Sequence, residues 1–132
     1  MIGLDTNVIV PLFVDDDPHQ TQAARRFVAS RCSPQTPGFV DRVALCELIW
    51  VLTSVHGYGR AEVADVIERL LGNQDMRLED DDLVHRALDD FRASNVDFAD
   101  ILIGHVNLAR GCEATATFDR KAARLKGFVR VS

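Results

Sequence analysis

The chain has 132 residues, 47% of them apolar and 27% charged, which is enough material for one substantial core and too apolar for a disordered segment. A formal net charge of −5 argues against a simple basic nucleic-acid binder. Cys32, Cys46 and Cys112 stand in no CxxC or Cys/His pattern, which argues against a disulfide scaffold and structural zinc and suggests reduced thiols in or near the core.

No uninterrupted apolar run approaches the roughly 18 residues that span a bilayer, and no basic region precedes an apolar stretch at the N-terminus. A single domain over residues 1–132, cytoplasmic and without a membrane partner, is therefore expected. Met1 to Leu4 is a short apolar run closed by Asp5, and predicts a buried strand with that acid at its C-terminal end. Thr6 and Asn7 begin a short helical or irregular segment. Asp17-Pro18 is a helix start, and Ala23, Ala24, Phe27 and Val28 carry its apolar stripe to about Cys32.

After the Pro/Gly-rich break at residues 33–38, Phe39-Val40 reads as a second short strand, and Asp41 caps a long helix to about His56. Gly57-Tyr58-Gly59 separates it from an amphipathic helix with Val63, Val66, Ile67, Leu70 and Leu71 on one face, ended by Gly72-Asn73. A short strand over Asp75 to Leu78 precedes a helix that has Asp80 to Asp82 in its first turn. Asp97 can cap a further helix from about Phe98 to Arg110, with Gly111 at its C-terminal end. Ala114 to Phe118 and Phe128 to Val131 read as strands, with a helical turn from Asp119 to Arg124 between them. Short strands alternating with amphipathic helices predict an α/β fold around a mostly parallel sheet covered on both sides.

Asp5 and Asp119 would then face the crevice beyond the strand ends, where open α/β sheets bind ligands, and Glu47 and Asp100 would flank it from helices. Glu47 is expected to be the most demanding of the four. It sits inside the apolar run Val43 to Leu52, where an unpaired carboxylate is costly unless something compensates it. Acids crowded in one pocket raise one another's pKa values, and a divalent cation relieves the repulsion. With no His/Cys cluster, magnesium or manganese suits such donors better than zinc, and either ion activates water for phosphodiester hydrolysis. Each acid also has a structural reading: Asp5, Asp97 and Asp119 could be helix caps, and Thr117 an ordinary strand residue.

Asp5-Thr6-Asn7, Glu47, the segment Asp97 to Ile103, and Thr117-Phe118-Asp119 with the run to Arg124 together resemble the PIN-domain ribonucleases, most closely the VapC-type toxins of bacterial toxin-antitoxin pairs. The resemblance covers essentially the whole chain. It implies a three-layer α/β/α sandwich with a short, mostly parallel central sheet, and an endoribonuclease using Mg2+ or Mn2+. By resemblance, Asp5 and Asp100 are the strongest metal ligands, Glu47 completes the shell or holds a water, and Asp119 positions a second ion or its waters. Thr6, Asn7 and Thr117 would orient these carboxylates, and Asp97 is either a ligand or a helix cap. The same resemblance implies an RNA substrate, a homodimer, and a cognate VapB-type antitoxin whose C-terminal segment covers the site.

Charge is uneven along the chain. Residues 61–100 hold twelve acids against Arg69, Arg77, Arg86 and Arg92, whereas Arg120, Lys121, Arg124, Lys126 and Arg130 follow Asp119 with no acid among them. Arg25, Arg26 and Arg31 form a second basic cluster. These clusters are either solvated helix faces or a rim that tracks phosphates. A receiver-like or phosphatase-like domain also gathers strand-end aspartates, but neither an Asp-x-Asp pair nor a strand-end lysine stands in the context such a site needs. A non-catalytic interaction module remains the other alternative.

Overall fold

The computed structural model describes all residues, Met1–Ser132. The element order is β1 (Ile2–Gly3), α1 (Thr6–Phe13), α2 (Pro18–Arg31), β2 (Gly38–Val40), α3 (Arg42–Ser54), α4 (Arg60–Gly72), β3 (Met76–Leu78), α5 (Asp81–Arg92), α6 (Phe98–Ala109), β4 (Thr115–Thr117), a 3-10 turn (Ala122–Arg124) and β5 (Phe128–Arg130). The fold is α/β with wholly parallel strand pairing, as expected. The strands form a three-stranded sheet in the order β1-β2-β3 and a separate two-stranded sheet, β4-β5. The chain divides into two compact units, Met1–Asp81 and Asp82–Ser132.

In the first unit, Gly38 lets β1 and β2 approach. A Cβ there would meet Leu4 Cδ1 at 2.7 Å and Cys32 Sγ at 3.0 Å. Leu4, Ile9, Val40, Leu45, Leu48, Leu52, Ile67, Leu70 and Leu78 are buried. Asp17 caps α2 by accepting from the N–H groups of His19 and Gln20, and Asp41 caps α3 by accepting from Ala44 N–H at 2.7 Å. At the end of β3, Arg42 N–H donates to Glu79 Oε1 at 2.9 Å and the Arg42 guanidinium pairs with Glu79 and Asp80. The first turn of α3 is thereby tied to the third strand.

In the second unit, Val84, Leu88, Phe91, Phe98, Ile101 and Leu102 are buried, and the Phe91 and Phe98 rings meet edge to face. His105 on α6 bonds Asp90 on α5 at 2.7 Å. Helix α6 docks on β5 at Gly104, where a Cβ would come within 2.6 Å of the Phe128 ring. Gly111, at φ +94°, ends the helix as its position in the sequence predicts. The thiols are unpaired, with Cys32 buried, Cys46 half-buried and Cys112 exposed rather than in the core. No helix is long and apolar enough to cross a membrane.

Candidate active site

In the first unit the loops leaving β1 and β2 and the starts of α1 and α3 border an open cavity of about 350 Å³. Asp5, Asp41 and Glu47 line it, together with Thr6, Phe39 and Val43. Parallel strands place it here because both chains leave the sheet on the same side and turn at once into helices. The helix N-termini also direct unpaired N–H groups and the positive ends of their dipoles toward this end of the sheet, which favours negative charge.

Asp5 holds the N-cap position of α1, but its side chain makes no capping bond. Its carboxylate is therefore not spent on the helix. Thr6 is buried, and its hydroxyl donates to Ala44 O at 3.3 Å. That bond ties the start of α1 to α3 one turn before Glu47, so Thr6 aligns two helices and touches no carboxylate there. Asn7 is exposed in the same turn. Asp41 is the residue that sequence reasoning left out of the site: its capping role holds, and it lines the cavity as well.

Glu47 requires a correction. The expectation of a carboxylate buried on all sides fails, because Glu47 is exposed. It shares an exposed stripe of α3 with Val43 and Trp50, four residues before and three after it, which are 78% and 64% accessible. The run Val43 to Leu52 is apolar in composition without being buried throughout.

The second unit carries the other half of the acidic set. Asp97 occupies the N-cap position of α6 but makes no side-chain capping bond, contrary to the capping expectation. Asp100, one turn on, is half-buried, and its pKa lies above the ordinary aspartate value. Loss of water around the carboxylate is the largest cause, followed by the charges of Asp97 and then Asp119. Asp119 follows β4 and is a genuine cap: its Oδ1 accepts from Lys121 N–H at 2.8 Å and from Ala122 N–H at 3.4 Å. Both bonds use one oxygen, so capping does not consume Oδ2. Thr117 holds this acid in place, its Oγ1 accepting from Asp119 N–H at 3.0 Å.

The donors in both units are carboxylate oxygens, the kind preferred by a hard divalent cation. Nowhere do three His, Cys, Asp or Glu side chains stand close enough together to hold a metal ion by themselves. A hard cation that keeps several waters needs only one or two carboxylates plus substrate phosphate.

The model of the PIN domain family matches residues 2–127, a span that contains Asp5, Glu47, Asp100 and Asp119. The chain belongs to the PIN domain family. Among solved structures it is similar to the Mycobacterium tuberculosis toxin VapC20, described as cleaving the sarcin-ricin loop, at 23% identity over 93% of each chain with a TM-score of 0.45. No curated protein matches it. The PIN domain match runs through both compact units, and its end falls within the basic stretch after Asp119.

Proposed function

We propose that this PIN domain chain is a metal-dependent endoribonuclease acting as the toxin of a type II toxin-antitoxin pair in the cytoplasm. Residues 1–132 would then work as a single domain, with Asp5, Glu47, Asp100 and Asp119 as its catalytic acids. The observation that carries the reading is the PIN domain match over residues 2–127, a span that contains all four acids, and the half-buried Asp100, its pKa raised by loss of water and by Asp97 and Asp119, supports it. A bound Mg2+ or Mn2+ would supply Lewis acidity and an activated water for phosphodiester hydrolysis.

The chain's own residues do the rest. Asp5 and Asp100 would each serve as a metal ligand, Glu47 would hold a water at the rim of its cavity, and Asp119, fixed by Thr117, would offer its uncapped oxygen. Thr6 keeps the α1 and α3 starts in register. Exposed Arg120, Lys121, Arg124, Lys126 and Arg130 would take the RNA backbone. The proposed partners are RNA, a second copy of the chain and a cognate VapB-type antitoxin. In the test, purified chain is incubated with cellular RNA and Mg2+ or Mn2+, and induced in cells beside Asp100→Asn. The ribonuclease reading requires cleavage and growth arrest that the substitution abolishes; absence of both refutes it.

A non-catalytic PIN-like interaction module is the second reading, favoured by the lack of three converging ligands. Calorimetry showing no divalent-ion binding would select it. A solitary PIN nuclease in RNA processing would cut RNA equally well, but without a neutralising antitoxin encoded beside it.

A further inference from the structure

Phe118 is the most exposed of the large apolar side chains, at 79%. It sits in the bend directly after β4, a strand whose Thr115 and Thr117 are half-buried and whose Ala116 is exposed. The backbone on either side is pinned. Asp119 N–H donates to Thr117 Oγ1 and Val131 N–H to Thr117 O at 2.8 Å, while Asp119 is held by Lys121 N–H. The ring thus directly precedes an acid whose charge reaches Asp100, and exposed Arg120, Lys121 and Arg124 follow it.

Resting on the ribonuclease reading, we propose that Phe118 is a stacking platform for one unpaired base of the substrate, held beside the Asp97, Asp100 and Asp119 group while the following cations take the adjoining phosphates. Base–aromatic stacking needs an open ring face on a fixed backbone next to positive charge, and all three occur here. Phenylalanine has no hydrogen-bonding group, so it positions a base without reading its edge. A second copy of the chain docked on Ala116, Phe118 and Val129 is the competing occupant. A symmetric contact there would bring each copy's cations from Arg120 to Arg130 toward the same cations of the other, whereas a polyanion neutralises them.

The test uses the full chain carrying Asp100→Asn, chosen to suppress cutting during the measurement, and short single-stranded RNAs with an abasic nucleotide moved along the sequence. Affinity is read by fluorescence anisotropy at one salt concentration. Phe118→Ala is expected to weaken binding of intact RNA about 10-fold, with Phe118→Tyr and Phe118→Trp near the parent. One abasic position should weaken the Phe118 protein by a similar factor and leave Phe118→Ala unaffected. RNA binding that ignores both Phe118→Ala and every abasic position overturns the stacking role and leaves the nuclease reading intact. Conversion of a dimer to a monomer by Phe118→Ala assigns the ring to a contact between copies and also overturns it. Failure of every variant to bind RNA overturns the stacking role together with the ribonuclease reading beneath it.

Discussion

The two compact units treat their acids differently. At the strand ends of the first, negative charge is largely accommodated: Asp41 caps α3, Arg42 neutralises Glu79 and Asp80, and Glu47 points into solvent beside an open cavity. In the second, Asp97 holds a cap position without capping, and Asp100 is half-buried with two like charges near it. The first unit supplies room and a few fixed oxygens. The second holds a carboxyl whose pKa is raised, first by loss of water and then by its acidic neighbours. Acids placed at strand ends and helix starts of one chain can therefore differ in how far the fold already compensates them.

The largest expected effect comes from removing the Asp100 carboxylate. Asp100→Asn should lower RNA cleavage by at least about a hundredfold, beyond the loss typical of an outer-shell substitution, while Glu47→Gln, at an exposed position, should cost less; initial rates at saturating magnesium check both. Equal losses would erase the contrast between the units.

Next in size is ion binding read through stability. An ion present at about a hundred times its Kd stabilises the folded state by about 2.7 kcal/mol, and should raise Tm by on the order of 10 °C. Chelator should reverse the rise, and Asp100→Asn should abolish most of it. A melt indifferent to ion would break the account of the second unit.

The contrast can be sharpened in the first unit by Asp41→Ala. Losing the Ala44 N–H bond should cost about 1 kcal/mol in a urea melt with or without magnesium, the signature of a capping residue. If the cost grows when magnesium is present, Asp41 belongs among the ligands.

The smallest effect concerns pH in the absence of ion. A carboxyl whose folded pKa is raised binds more protons folded than unfolded, so its contribution to stability falls as pH rises from the unfolded value through the folded one. Asp100→Asn removes that loss. The variant should melt at or slightly above the parent at neutral pH without ion and lose the parent's dependence on pH in that window. A variant less stable than the parent at neutral pH would mean that the carboxylate is compensated within the chain.

Much of this was legible before the structure. Asp17-Pro18, Asp41 and Gly111 marked helix ends correctly because caps and left-handed terminators are local chemistry. The parallel pairing followed from strands separated by helices. Glu47 departs from the sequence expectation because apolar composition does not fix burial: Val43, Trp50 and Val55 are apolar and exposed, so the helix has an open face. Asp97 has the residue type and position of a cap but not the bond, which depends on a rotamer that no sequence pattern specifies. The second role of Asp41 was hidden by its first, since a capping aspartate looks the same whether or not a cavity adjoins it. The division of the strands into sheets of three and two depends on long-range pairing, on which short apolar runs are silent.

The most direct test is a carbon-detected NMR titration of the Asp100 carboxyl, with and without magnesium. Without ion its pKa should lie above that of an ordinary aspartate and fall further on Asp97→Asn than on Asp119→Asn, and magnesium should drive it below the ordinary value. An ordinary pKa that neither substitution nor ion moves would contradict the claim that this part of the fold is built to receive a cation.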